Sequence, residues 1–159
     1  MTPDEGLDVV ALGRLHAAYA DTCSRRAFTE LAGQFLPDAE VVVDRRSIDP
    51  VRLVGPAALG EFISTALEPF EFFEFVVLNS HFVLGDDGTS ATGRMWMSEL
   101  RQDRASGRWT VIYGLYTDRY ARVDGRWWFA HRLYRTLART APDFAVFPVP
   151  GDDAAAGDP

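Results

Sequence analysis

Three side chains with useful chemistry stand inside stretches that otherwise read as apolar strands: His81, Asp118 and Arg132. From Trp109 to Val123 large apolar residues alternate with mixed ones, and β-branched and aromatic types dominate, which predicts a strand. Asp124-Gly125 supplies the two positive-φ residues of a tight hairpin turn, and Arg126 to Arg135 returns as the partner strand. A period of two places Gly114, Tyr116 and Asp118 on one face of the first strand. It places Trp128, Ala130, Arg132 and Tyr134 on one face of the second. If those faces coincide, a carboxylate and a guanidinium look into one aromatic-lined space. A carboxylate facing an apolar interior is costly unless paired, protonated or solvated, so a pocket is expected there. His81 falls on a predicted strand from Phe70 to Leu84, on the face shared by Phe75, Val77, Asn79 and Val83. A neutral imidazole at that place is a general base if the proton it removes lies within reach. The other reading is a hydrogen-bonded histidine in a polar corner of the sheet.

These residues need elements to hold them. Thr2-Pro3-Asp4-Glu5 has the form of a helix start, and Val9, Leu12, Leu15, His16 and Tyr19 follow at helical spacing on one face to about Ser24. A second helix is expected from about Arg26 to Phe35, and a strand from Glu40 to Asp44. Gly55-Pro56 opens a third helix, striped by Leu59, Phe62, Ile63 and Leu67, which Pro69 ends. Strands follow over Phe70–Leu84 and Ser90–Arg101, then the hairpin. Three helices followed by long amphipathic strands predict an α+β domain with one curved sheet wrapped over the helices. We place the domain at residues 1–140. Residues 141–159 are expected as an extension: an apolar flap over 142–148, then a disordered GDDAAAGDP tail.

Bulk composition narrows the function classes. The 159 residues carry a net charge of −7, which argues against a nucleic-acid surface. All cations are arginine, so lysine-based Schiff-base and phosphate-loop chemistry is excluded. One cysteine, Cys23, excludes an internal disulfide and a cysteine metal site. The histidines His16, His81 and His131 show no ligand spacing, so no metal is expected. No leader or apolar run of spanning length is visible, so no membrane partner is expected and the cytoplasm is the default compartment.

The run from Gly114 to Trp127, G-x-Y-x-D-x-Y-x-R-x-D-G-x-W, resembles the SnoaL-like family of the nuclear-transport-factor-2-like superfamily. That superfamily contains scytalone dehydratase, hexachlorocyclohexane dehydrochlorinase and ketosteroid isomerase. The resemblance covers roughly residues 8 to 137. It implies a cone-shaped barrel, one curved mixed or antiparallel sheet over three N-terminal helices, with a deep apolar cavity. The fold also hosts cyclases, hydrolases and non-enzymes, so it constrains function less than architecture.

The resemblance also implies roles. His81 matches the N/Q-H-F motif of scytalone dehydratase and would be the base or proton shuttle. Arg132 corresponds to the arginine beside the dehydrochlorinase leaving group, where it polarises a carbonyl or stabilises an anion; a surface arginine or an ion pair with Asp118 is the alternative. Asp118 and Tyr19 correspond to the oxyanion-hole pair of ketosteroid isomerase, although Asp118 also fits a structural tie between sheet and helix. Substrate contacts would come from Ser24, Cys23, Asn79, Met95, Tyr116 and Tyr134. Several departures stand out. Ser24 replaces the aspartate that orients the histidine in the dehydratase and dehydrochlorinase. Cys23 replaces a dehydratase tyrosine, and Met95 its second histidine. The isomerase base falls on Val43, with Asp44 one residue away and therefore on the opposite face. An acid holding His81 would have to be Asp21 or, better placed on the hairpin, Asp118.

The expectation is a cofactor-free lyase, isomerase or cyclase. It would act on a small hydrophobic oxygenated molecule, of polyketide, aromatic or steroid type, by acid–base chemistry. A non-catalytic ligand-binding or assembly protein of the same fold is the rival. A homodimer or homotrimer is expected through the sheet face, with Trp109, Trp127 or Phe129 partly outside.

Overall fold

The computed structural model describes residues 2–151. Helix α1 runs Pro3–Arg25. It opens with a capping box in which the Thr2 hydroxyl accepts the Glu5 N–H at 3.2 Å, and closes on Arg26 in the left-handed conformation, φ 58°. The expected second helix is only a 3₁₀ turn, Phe28–Gly33, because Phe35 already belongs to strand β1 (Phe35–Asp44) and is buried in the sheet core. Strand β2 is Val51–Val54, and helix α2 is Gly55–Leu67. A Cβ on Gly55, at φ +84°, would stand 2.8 Å from the Pro37 carbonyl oxygen, so this entry to α2 requires glycine. Strands β3 (Phe70–Leu84), β4 (Ser90–Asp103), β5 (Trp109–Val123) and β6 (Arg126–Arg139) complete the chain. The six strands form one mixed sheet in the order β2-β1-β6-β5-β4-β3, antiparallel except for β1 beside β6. The sheet curves over α1 and α2, as expected for the α+β cone.

Irregularities in the ladders decide which residues face inward. Val77 pairs with Met97 but Asn79 with Trp96, so Leu78 is an extra residue on β3. A one-residue bulge reverses the faces of everything beyond it. Phe73 and Phe75 are buried before the bulge; after it Ser80 and Phe82 turn inward, and Asn79 and His81 are exposed. On β6, Arg119 pairs with His131 but Tyr120 with Phe129, which makes Ala130 the extra residue. Trp127 and Phe129 therefore point into the core on one side of it, and Arg132, Tyr134 and Thr136 on the other. This corrects the expected face of Trp128 and Ala130. It also removes Trp127 and Phe129 from the outer surface, where Trp109 remains 56% exposed.

Beyond β6, Val146 bridges to Ala138 and the Phe147 N–H donates to the Leu137 carbonyl. The apolar segment thus lies along the end of the sheet. The expected tail, residues 152–159, lies outside the described residues.

Candidate active site

The interior of the cone has two polar regions. The inner one is sealed. Asp118 and Arg132 are direct cross-strand partners, and both side chains are fully buried. The guanidinium donates through Nε to Oδ1 at 2.8 Å and through Nη2 to Oδ2 at 2.9 Å. Tyr19, Tyr116 and Phe129 surround it, with ring centroids 4.3, 4.1 and 4.0 Å from its central carbon. The remaining nitrogen, Nη1, has no hydrogen-bond partner and is left to these π faces. Burial pushes the Asp118 carboxyl up, but Arg132 outweighs it and holds the carboxyl below the usual range.

The network continues to α1. Tyr120 donates to Asp118 Oδ2 at 2.9 Å, so its oxygen must accept from His16 Nε2 at 2.6 Å. That fixes the proton of a neutral His16 on Nε2 and leaves Nδ1 to accept from the Ser80 hydroxyl at 2.8 Å. Burial lowers the His16 pKa against the pull of Asp118, consistent with the neutral ring. His16, Ser80, Tyr120, Asp118 and Arg132, from α1, β3, β5 and β6, thus form one connected network in which Arg132 Nη1 alone has no hydrogen-bond partner. None of Asp118, Arg132, His16 or Tyr120 lines the cavity.

The outer region is a cavity of about 910 Å³ between the sheet, α1 and α2. Tyr19 and Tyr116 form its inner wall and separate it from Arg132. Phe73, Phe75, Leu59 and Leu67 make its apolar lining, and Cys23, Tyr134 and Thr136 add small polar groups. The Tyr134 and Thr136 hydroxyls lie 3.1 Å apart. Burial raises the Cys23 thiol to about 12, so it stays protonated. Glu99, two residues beyond the inward-facing Met97 on β4, enters this cavity with its side chain 18% exposed. Its carboxylate is 3.5 Å from Arg101 Nε, an ion-pair distance without a hydrogen bond. Burial raises the Glu99 pKa, and Arg101 and Arg45 oppose it without cancelling it. Burial raises the Tyr116 and Tyr134 hydroxyls; Tyr19 adds to the rise at Tyr116, and Glu99 adds to both. A carboxyl held toward neutrality beside tyrosine hydroxyls is suited to moving a proton.

The structure sorts the expected site residues. Tyr19, Cys23, Tyr116 and Tyr134 line the cavity. Asp118 and Arg132 meet, through the register shift at Ala130, but behind the tyrosines. Met95 is packed in the core. The Ser24 hydroxyl accepts the Phe75 N–H at 2.9 Å, tying α1 to β3. His81 and Asn79 are exposed on the outer side because of the Leu78 bulge, which corrects the expectation that they face the cavity. Asp21 is exposed and paired with Arg25 at 2.7 Å, away from any histidine. Val43 lines the cavity, whereas Asp44 faces away toward Arg46 and Arg135. Sequence reasoning misses His16 and Glu99 as site residues. Glu99 carries the same signal as Asp118, a carboxylate at an inward position of an alternating strand.

A curved six-stranded sheet closed over helices around a side-chain-lined cavity defines the nuclear-transport-factor-2-like cone. Within it, residues 4–133 match the SnoaL-like domain, and the chain belongs to that family. Among solved structures, a scytalone-dehydratase-like protein from Novosphingobium aromaticivorans DSM 12444 is similar at 22% identity, over 92% of this chain and 95% of that one, with a TM-score of 0.77. Hexachlorocyclohexane dehydrochlorinase LinA-type3 from Novosphingobium barchaimii LL02 is 21% identical over 91% and 98%, with a TM-score of 0.75. Rv3472 from Mycobacterium tuberculosis, whose function is unknown, is 23% identical over 98% and 88%, with a TM-score of 0.74. At these identities the likeness speaks for the fold. No curated protein matches the chain. Among the described residues no helix is long and apolar enough to cross a membrane.

Proposed function

We propose that this chain is a cofactor-free enzyme of lyase or isomerase type, acting on a small hydrophobic oxygenated molecule bound in the 910 Å³ cavity. The reaction would begin with proton removal next to a carbonyl. The observation that supports it is Glu99, a partly desolvated carboxyl on the wall of a cavity that Tyr116 and Tyr134 also line. Glu99 takes the place first given to His81 as the proton acceptor. Tyr116 and Tyr134 present hydroxyls to the developing enolate oxygen. Tyr19 shares the inner wall, and Arg132, with Asp118 holding it, acts on Tyr19 and Tyr116 through their ring faces rather than on substrate. Cys23 shapes the wall; Ser24 and Met95 are structural.

The test is solvent exchange. Enolisable ketones of bicyclic and tricyclic size are incubated with the protein in deuterium oxide, and loss of the α-proton signal is followed by NMR. The wild type is expected to exchange at least one of them, and Glu99→Gln to lose that exchange. Exchange that persists in Glu99→Gln sinks this assignment. No exchange across the panel favours the rival, a non-catalytic binder. That rival draws on one observation: no imidazole lines the cavity among the described residues.

Two further expectations belong here. Residues 1–140 would form the barrel, and the described part of the extension, residues 141–151, would close its mouth, since Ala141 and Pro142 already border the cavity. The chain forms a homodimer or homotrimer through the outer sheet face, where Phe72, Trp109 and Tyr113 stand exposed. A monomer by light scattering at micromolar concentration would end that second expectation.

A further inference from the structure

The cavity mouth is cationic in a protein whose net charge is −7. The strand registers order its lining by depth. Val41 pairs with Arg132 at the sealed inner level, and Val43 pairs with Tyr134 one layer further out. Beyond Val43 the chain reaches Arg45, and β6 reaches Arg139, both on the lining. On β4 the inward positions run Met97, Glu99, Arg101 toward the same end. Arginines from β4, from β6 and from the segment after β1 therefore stand around one opening, with Glu99 a layer below.

Each guanidinium is set against a phenyl ring. Arg45 lies 5.1 Å from the Phe62 centroid, Arg101 4.9 Å from Phe70, and Arg139 5.4 Å from Phe147. Such stacking fixes the plane of the group and leaves its N–H edges available. Arg139 uses its edge on Asp143, at 2.8 and 3.3 Å. Arg101 does not: its Nε is buried without a hydrogen bond, and Glu99 at 3.5 Å is its carboxylate neighbour. Glu61, the other acid on the lining, is exposed at the rim. Arg45 and Arg101 thus provide more positive charge than Glu99 can balance, and ring contacts hold them at the opening where they would meet an anion.

We infer that the molecule this cavity takes is an amphiphilic organic anion. Its carboxylate, or another acidic group such as a sulfonate, sits at the mouth between Arg101 and Arg45. Its apolar body reaches inward past Glu99 to Phe73, Phe75, Leu59 and Leu67. The inference deepens the reading above by naming the substrate class, and it rests on that reading only for the choice of cavity. Neutral ketones would enter, but weakly.

The test uses two fluorescent probes of nearly the same aromatic body: anilinonaphthalene sulfonate, an organic anion, and neutral phenylnaphthylamine. Both are titrated into the full chain at low and high salt. The wild type is expected to bind the anionic probe at least about tenfold tighter than the neutral one at low salt, and to lose that preference at high salt. Arg101→Gln and, independently, Arg45→Gln are each expected to weaken the anionic probe by about tenfold while leaving the neutral probe unchanged. Arg101→Lys should restore part of the loss, since charge without the fork remains. The inference is overturned if the wild type binds both probes equally, or if the arginine variants weaken both alike. These outcomes leave the Glu99 chemistry standing. A cavity that takes neither probe overturns both. Loss of exchange chemistry with intact anion preference overturns only the enzymatic reading.

Discussion

The two polar regions inside the cone share walls but differ in how their charges are satisfied. In the sealed region each acceptor has a donor: both Asp118 oxygens, the Tyr120 hydroxyl and both His16 nitrogens are engaged. In the outer region Glu99 has Arg101 at ion-pair distance and Arg45 further off, no hydrogen bond to Arg101 Nε, and it borders open space. Two carboxyl groups are therefore driven in opposite directions. Asp118 is held ionised and fixed; Glu99 is held toward its neutral form and left with room for a ligand. A buried carboxylate with its bonds made is architecture, whereas one with bonds unmade is available for chemistry.

The largest expected effect comes from breaking the sealed region. Asp118→Asn strands the Arg132 charge in a dry site and should cost about 3–5 kcal/mol in denaturant unfolding. The double variant Asp118→Asn with Arg132→Leu should be less destabilised than that single change, because the orphaned charge is gone. If the double variant is instead the sum of the two single losses, the pair is not the unit described. At the open end, Glu99→Gln should remove about 10²-fold or more of any exchange rate while leaving the unfolding midpoint near wild type. A fall in stability to match Asp118→Asn would erase the contrast between the regions.

The two regions should also answer pH with opposite sign. Folding lowers the His16 pKa, so the unfolded chain binds that proton more tightly, and stability falls as pH drops through about 6.5 and below. Folding raises the Glu99 pKa, so its contribution is complete below about pH 4.3 and is lost as pH rises through the raised value. Chemical denaturation of wild type and Glu99→Gln at stepped pH reads this directly: the variant should gain on wild type as pH rises. A constant difference would contradict the raised carboxyl.

Smaller effects mark the periphery. Tyr120→Phe leaves the His16 N–H and an Asp118 lone pair unmet and should cost about 1–3 kcal/mol. His81→Ala, on the outer face, should stay within about 0.5 kcal/mol of wild type and leave exchange untouched. Any loss of exchange in His81→Ala would restore the histidine to the mechanism.

Much of this molecule is written locally. The capping box at Thr2, the Gly55-Pro56 helix start, the Phe70–Leu84 strand and the Asp124-Gly125 turn depend on neighbours in sequence, and they appear where local chemistry puts them. The turn also sets the hairpin register as far as Tyr120 opposite Phe129, but it is the extra residue Ala130 that shifts the pairing so that Asp118 faces Arg132 rather than His131. What the sequence alone leaves undecided is parity across the bulges and the reach of α1. An extra residue at Leu78 or Ala130 relieves strain in a sheet that must bend sharply around its helices, and no local pattern says where that bend falls. One such residue sends His81 outward and Ser80 inward, and another turns Trp127 and Phe129 into the core. His16 reads locally as one more residue on an apolar helix stripe. Only the docking of α1 on the sheet sets it between Ser80 and Tyr120, because partners 64 and 104 residues away are chosen by packing and not by spacing.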